Sequence, residues 1–345
     1  MTITGAALLE KIAAAALYGK GGASFPVAKK WQRLATAPNP KKYIVCNASE
    51  GEPDVKKDFY ILQHFPEKVI QGMLLAMDFF GSQEGYINFN KNYYQQLRDR
   101  IDPLLAETAK AGRVIHVFEE EPKYIGGETG ALLNAIEGKP VQPRTVASPS
   151  LQGIFGVPVL LQNVETYYDI ALVAAGEYRQ QRFFTLAGGK NPGVFALADT
   201  LTAAEVLAAT ENQPDFPYFL QIGGGASGTV IRAEQAATTK VDGCALVKIY
   251  PLSLTPLQVI QPWLAFYAQE SCGKCAACKN NSQKLWDFVK NLQDSSEIPW
   301  QQFPALFRVL RLGSLCGLGK NLPNSIETYA NNVLQLNLSG SVSAR

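Results

Sequence analysis

Three cysteines spaced two residues apart, Cys272-Gly273-Lys274-Cys275-Ala276-Ala277-Cys278, with a fourth at Cys316 after 37 intervening residues, constrain this chain more than any other feature. A C-x2-C-x2-C run turns three thiols toward one region from a single folded turn. A distant loop, here Gly313-Ser314-Leu315-Cys316-Gly317-Leu318-Gly319, can then close the fourth corner. That is the ligand pattern of a [4Fe–4S] cluster. A structural zinc site built from four cysteines also uses C-x2-C spacing but usually takes its ligands in two pairs. Unligated core thiols are the remaining reading. Cys46 and Cys244 sit in β-type runs and read as buried core residues. Six cysteines in 345 residues, four of them crowded at one end, do not make a disulfide scaffold.

Nearly half of the residues, 47%, are apolar, enough for a substantial core and for two or three domains. Lysine and arginine total 32 against 30 acidic residues, so no net field draws the chain to a polyanion, and nucleic acid is not an expected partner. Residues 1–19 lack a basic leader and read as an ordinary helix rather than a signal peptide. No apolar run approaches the roughly 20 residues of a membrane span, and the chain is expected to be soluble and cytoplasmic.

Apolar residues recur at helical spacing over residues 4–18, and a glycine-rich turn at 19–22 stops them. A β-type run at 42–46 is followed by an expected helix at 66–80, strand at 86–89, helix at 93–111 and strand at 113–118. Strands alternating with helices imply a largely parallel α/β sheet with ligands at the strands' carboxyl ends. A glycine turn opens a helix over 126–138, residues 139–158 read as an extended loop, and another helix is expected over 164–175. From 183 to 250 the texture changes to short β-rich runs, one of them around 201–210, and implies a small second domain. After residue 256 the chain is helical again and holds the cysteines, while 340–345 reads as a loose tail.

Three loops can meet a ligand. Gly19-Lys20-Gly21-Gly22-Ala23-Ser24-Phe25-Pro26 is not a dinucleotide fingerprint, because it follows a helix and is followed by Pro26 rather than by a helix start. Its glycines let backbone N–H groups approach a phosphate or a planar ring, and Lys30 offers a positive charge; taken alone it is also an ordinary turn. The loop Asn47-Ala48-Ser49-Glu50-Gly51-Glu52-Pro53 ends the first strand, where its carboxylates can hydrogen-bond a ribityl chain or a ribose, or simply form a solvated turn. Tyr124-Ile125-Gly126-Gly127-Glu128-Thr129-Gly130 opens a helix whose first N–H groups suit an anion, or is a capped helix start and no more. His64 and His116 lie in apolar stretches and read as packing residues. A Ser-His or Cys-His hydrolase is therefore not expected, and no catalytic side chain is assigned.

In this order the segments resemble the flavin-bearing, NADH-oxidising (51-kDa-type) subunit of respiratory complex I and its relatives in NAD-linked hydrogenases and formate dehydrogenases. The matching stretches are residues 19–31, 43–58, 124–138, 153–166 and 270–278, with Cys316 in place. The resemblance implies a Rossmann-like FMN-binding domain (1–178), a small ubiquitin-like β-grasp domain of SLBB type (179–252) and a C-terminal α-helical bundle bearing a [4Fe–4S] cluster (253–345). Carried over position by position, the FMN contacts fall on Gly19, Gly21, Lys30, Asn47, Glu50, Tyr124, Gly127, Glu128, Asn163 and Thr166. Phe25 and Glu52 fall on the nicotinamide side of a site for NAD(H), and Cys272, Cys275, Cys278 and Cys316 hold the cluster. The implied partners are iron–sulfur subunits of a redox complex, of thioredoxin-like [2Fe–2S] or ferredoxin-like type.

The chain departs from the family pattern at several places. The family usually has Asn-Ala-Asp-Glu where this chain has Asn47-Ala48-Ser49-Glu50, Glu-Glu where it has Glu128-Thr129, and Asn-Asn where it has Gln162-Asn163. Residues 145–151 lack the lysine and phenylalanine that in the family hold the adenine end of NADH. The stretch ahead of the glycine motif is also short. The resemblance thus implies an electron-transfer flavoprotein subunit of the NADH dehydrogenase type. Two alternatives stay open: the same cofactors fed by ferredoxin or another protein, and a non-catalytic scaffold subunit.

Overall fold

The computed structural model describes residues 4–338, so the tail expected at 340–345 lies outside the described residues. The chain divides into two compact units, residues 1–51 with 56–183, and residues 52–55 with 184–345. In the first, the elements run α1 Gly5–Ala14, α2 Val27–Ala35, β1 Tyr43–Ala48, α3 Lys57–His64, α4 Pro66–Phe80, β2 Glu84–Asn90, α5 Lys91–Lys110 and β3 Val114–Glu120. A 3-10 turn at Tyr124–Gly127 follows, then α6 Thr129–Ile136, α7 Pro149–Gln152, β4 Val159–Asn163 and α8 Val164–Ala175.

The four strands form one parallel sheet in the order β3-β2-β1-β4. Ile44, Val45 and Cys46 of β1 are fully buried, as a central strand covered on both faces by helices requires. The chain steps outward from β1 to β2 and β3 and then returns to the other side of β1 as β4. The order therefore reverses between β1 and β4, and the crevice at the carboxyl ends of those two strands is where such sheets take ligands. The register places Asn47 directly beside Asn163 at that point.

Punctuation in the sequence sets the helices on either side. α4 begins with Pro66 and ends at Gly81 in the left-handed region, and α8 is capped by the Asn163 side chain and ends at left-handed Gly176. α4 and α8 pack against each other so closely that a Cβ on Gly72 would lie 1.9 Å from the Tyr167 carbonyl oxygen. Tyr167 in turn pins α8 to the sheet, its hydroxyl 3.1 Å from the Val45 carbonyl and 3.3 Å from that of Leu160.

Several expectations are corrected here. α2 starts at Val27, immediately after Pro26, so the glycine loop does open a helix. His64 and His116 are exposed rather than packed inside, each lying against a tyrosine, Tyr60 and Tyr86 respectively. Cys46 is buried, but Cys244 is half-buried in a turn that precedes a strand.

The second unit contains β5 Gln181–Ala187, which begins at the end of the first, then β6 Gly193–Ala198, α9 Ala203–Ala209, β7 Tyr218–Ile222, β8 Thr229–Arg232 and β9 Leu246–Pro251. The five strands form a mixed sheet in the order β6-β5-β9-β7-β8, with β5 and β9 parallel at its centre, in keeping with the β-grasp expectation. The run around 201–210, expected as β, is α9: Thr202 and Glu205 close a capping box, and Val206 and Leu207 enter the core with Leu220, Ile231 and Val247.

Four helices follow: α10 Pro256–Glu270, α11 Ala276–Val289, α12 Phe303–Gly313 and α13 Gly317–Asn332. α13 covers the edge strand β8. Thr328 accepts from the Val230 N–H at 2.9 Å and Asn332 donates to the Val230 carbonyl at 2.7 Å, so two side chains replace a missing neighbour strand. Among the described residues no helix is long and apolar enough to cross a membrane.

The contact between α4 and α8 gives a direct test of this packing. Gly72→Ala is expected to destabilise the protein by about 2–3 kcal/mol, because a methyl group there meets backbone rather than a movable side chain. The measurement is urea unfolding followed by circular dichroism, and an unchanged midpoint would contradict the packing.

Candidate functional site

A cavity of about 140 Å³ opens at the carboxyl ends of β1 and β4. Its lining includes Gly19, Gly21, Phe25, Lys30, Asn47, Gly127, Asn163 and Thr166, eight of the positions assigned to flavin or nicotinamide. The first residue of α2, Val27, the first of α6, Thr129, and Thr166 in the first turn of α8 are also in its wall. Three helix N-termini thus border one small volume, and the positive ends of their dipoles favour an anion there. The cradle depends on glycine: a Cβ on Gly21 would stand 3.2 Å from that of Asn163 across the cavity.

Lys30 carries the formal positive charge of the lining. Its ammonium donates to the Leu161 carbonyl, and burial pulls its pKa down to about 8. Gln162, between Leu161 and Asn163, is a residue that the sequence marks only as a departure from the family pattern. Its side chain is buried, yet neither amide atom makes a hydrogen bond within the protein by distance and angle. The Tyr167 hydroxyl is near enough to interact with that amide but is committed to the Val45 and Leu160 carbonyls. An orphaned amide, a half-buried ammonium and three helix N-termini make a donor set that suits a flavin with its phosphate.

The other expected flavin residues stand around the cavity's support rather than in its lining. Glu128 caps α6, its carboxylate accepting from the Ala131 N–H at 2.8 Å. Tyr124 opens the turn that leads to Gly127, whose carbonyl accepts from the Asn47 amide at 3.0 Å. Behind that turn lies buried Glu120, which accepts from the Ser49 hydroxyl at 2.6 Å and the Asn88 amide at 2.7 Å. Its carboxyl fills the space beside Gly126 that a Cβ would need, and burial raises its pKa.

Glu50 adopts a left-handed backbone, φ 32°, unusual for a residue with a Cβ. The conformation aims both carboxylate oxygens at the start of α3, where they accept from the Asp58 N–H at 2.8 Å and the Phe59 N–H at 3.2 Å. In the first turn of α3, Lys57 is buried with its ammonium 2.6 Å from Asp58, 3.0 Å from Glu165 and 2.9 Å from the Asn163 carbonyl oxygen. Burial works against that charge, but the carboxylates of Asp58, Glu165 and Glu50 outweigh it and raise the Lys57 pKa. The Asn163 amide nitrogen completes the group with a 2.6 Å bond to Asp58.

Glu52, expected on the nicotinamide side, belongs to the second unit. Its carboxylate accepts from the Ala226 and Ser227 N–H groups at 3.0 and 3.4 Å and from the Ser227 hydroxyl. Gly224 leaves it room, since a Cβ there would lie 2.9 Å from the carboxyl carbon. The neighbouring Asp54 pairs with Lys248 at 2.8 Å.

The cysteines occupy two facing turns of the same unit. Cys275 is the N-cap of α11, Cys278 lies in that helix's first turn, and Cys316 is the N-cap of α13. A Cβ on Gly313 would be 2.8 Å from Ala277, and one on Gly319 would be 3.0 Å from the Cys278 Cβ. The loop carrying Cys316 therefore runs alongside the Cys275–Cys278 turn. Burial raises the Cys278 pKa, the Ser271 hydroxyl 3.6 Å away opposes this, and Cys275 and Cys272 add to it. Among the described residues no three His, Cys, Asp or Glu side chains close on one point as a single metal ion requires. Cys275 and Cys316 thus stand at two helix N-termini, and four thiols at this sequence spacing are a ligand set that suits an iron–sulfur cluster.

Residues 12–172 match the Nuo51 FMN-binding domain, and residues 258–333 match the NADH-ubiquinone oxidoreductase-F iron-sulfur binding region. The chain therefore carries both regions that mark such subunits, the FMN-binding domain and the iron–sulfur binding region. It is 27% identical to the F subunit of the NADH-quinone oxidoreductase of Aquifex aeolicus (strain VF5), over 88% of this chain and 78% of that protein. It is 28% identical to the alpha subunit of the NAD-reducing hydrogenase HoxS of Cupriavidus necator, over 93% of this chain but 58% of the relative. A crystal structure of an air-oxidized NAD+-reducing [NiFe]-hydrogenase superposes with a TM-score of 0.88 at 27% identity, covering 97% of this chain and 62% of the other. The chain thus spans about three fifths of the length of these hydrogenase chains.

Anaerobically purified protein is expected to contain about one FMN and about four irons per chain, measured by flavin extraction and iron assay. Zinc in place of iron would contradict the assignment.

Proposed function

We propose that this chain is the electron-entry subunit of a redox complex, taking electrons from NADH at FMN and passing them through its [4Fe–4S] cluster to an iron–sulfur partner. The observation that carries the reading is the cavity at the β1/β4 reversal, where the flavin positions Gly19, Gly21, Lys30, Asn47, Gly127, Asn163 and Thr166 meet three helix N-termini. FMN exchanges electrons in pairs with a hydride donor and singly with a cluster, which is the chemistry this junction needs.

The chain's own residues bind and orient. The α2, α6 and α8 N-termini and the Lys30 ammonium hold the phosphate and the electron-rich parts of the flavin, and Gln162 gives its orphaned amide to the cofactor. Glu50, Tyr124 and Glu128 hold the surrounding loops in shape. Cys272, Cys275, Cys278 and Cys316 ligate the cluster, and residues 179–252 and 253–345 act as separate β-grasp and cluster-bearing domains. The expected partner is an iron–sulfur subunit of thioredoxin-like or ferredoxin-like type.

One observation favours the alternative electron donor, a ferredoxin-type protein. Glu52 is already satisfied by three donors of residues 226 and 227, and so has little left to offer a dinucleotide.

Three experiments test these roles. NADH added anaerobically should bleach the flavin and then the cluster; bleaching by dithionite but not by NADH would transfer the reading to the ferredoxin-type donor. Cys278→Ala should reduce bound iron to near zero while Cys46→Ala leaves it unchanged. Lys30 is cationic below its pKa of about 8 and neutral above it, so FMN affinity should fall as pH rises through 8. Lys30→Met should weaken binding about tenfold at pH 7 and remove that pH dependence, read by quenching of flavin fluorescence.

A further inference from the structure

Lys57 is one ammonium among three carboxyl groups; Lys57, Asp58 and Glu165 are closed to water, and Glu50 is half-buried at the edge of the group. With every carboxyl ionised, the group would carry an excess of two negative charges with little solvent to screen them, a state that such sites avoid by keeping a proton, and Glu50 at the edge is where water can deliver it. The contacts say where that proton belongs. Glu165 has the ammonium at 3.0 Å and the Phe183 N–H at 2.9 Å, and Asp58 has the ammonium at 2.6 Å and the Asn163 amide at 2.6 Å. Glu50 has two backbone N–H groups and the Tyr93 hydroxyl but no direct ammonium contact. It faces Asp58, with which it competes for the same positive charge.

The remaining groups around the cluster do not supply a compensating cation. Cys46 on β1 lies beneath Asp58 and Lys57 and is held neutral by burial. Tyr93 on α5 and Tyr168 on α8 both have pKa values pushed up, the first by burial and Glu50, the second by burial and nearby carboxylates including Glu165. One side chain joins this cluster to the flavin cavity. Asn163 accepts from Lys57, donates to Asp58, and lines the cavity opposite Gly21.

We propose that the Glu50–Asp58 pair holds one exchangeable proton and that its charge, transmitted through Asn163 and Lys57, sets how readily the flavin in the adjoining cavity is reduced. The proposal rests on the FMN reading given above. Hydride transfer from NADH brings two electrons and one proton and adds a negative charge to the bound flavin. That charge strengthens the hold of the pair on a proton, so a Glu50 or Asp58 carboxylate takes one from water and forms an O–H bond. Reduction is thereby coupled to proton uptake at a site outside the flavin. Burial and Asp58 push the Glu50 pKa up to about 8, which places the event in an accessible range.

Two measurements separate this inference from the FMN assignment. In the protein stripped of flavin, infrared titration should show a protonated-carboxyl band lost as pH rises through about 8, and Glu50→Gln should lack that transition. Absence of the transition in the unaltered protein would overturn the proposal whatever the cofactor. In the flavin-loaded protein, the flavin midpoint potential should fall more steeply with pH above about 8, by one extra proton per two electrons, and lose that break in Glu50→Gln. A titrating band with an unbroken potential would overturn the coupling while leaving the FMN reading intact. Should Glu50→Gln fail to fold, Asp58→Asn removes the other half of the pair and is expected to abolish both transitions.

Discussion

The buried ammonium of Lys57 is the point on which the first unit turns. It draws together three segments far apart in sequence: the start of α3, the Asn163 cap at the end of β4, and Glu165 in the first turn of α8. Each owes part of its placement to that contact, because a carboxylate or amide buried there without a cation would be costly. Asn163 is thus both the cap of α8 and a wall of the cavity, and Glu50 is held at the edge of the same group by the N-terminus of α3. The electrostatics that stabilise the fold and those that shape the cavity are one arrangement.

Much of this is legible from residue types in series. The boundaries of α4 and α8 follow from Pro66 and Gly81 and from Asn163 and Gly176, local signals that need no tertiary context. The cysteine spacing and the glycine turns stand out in the sequence for the same reason. Two local signals mislead although they are present: Pro26 can precede a helix as well as end one, and Thr202 with Glu205 is a capping box inside a run of β-like texture. The Lys57 group, the orphaned Gln162 amide and the tie between Glu52 and residues 226 and 227 are not legible. They depend on which distant segments meet, which neither periodicity nor spacing encodes.

The family pattern and the structure together refine the meaning of the departures. Serine at 49, where the family usually has aspartate, sits against the buried carboxyl of Glu120 and donates to it. A second carboxylate at that spot would meet Glu120 as a like charge, a repulsion that the serine hydroxyl avoids by donating. Threonine at 129 and glutamine at 162 both line the cavity and leave its charge to Lys30 and the helix ends.

α13 begins at one thiol, Cys316, and along its 16 residues reaches the unpaired edge of β8. The helix whose N-cap is a proposed cluster ligand is therefore also the cover of a strand that would otherwise offer its hydrogen bonds to any passing chain. On that reading, iron supply and resistance to aggregation, which belong to different branches of cell physiology, meet on a single helical rod.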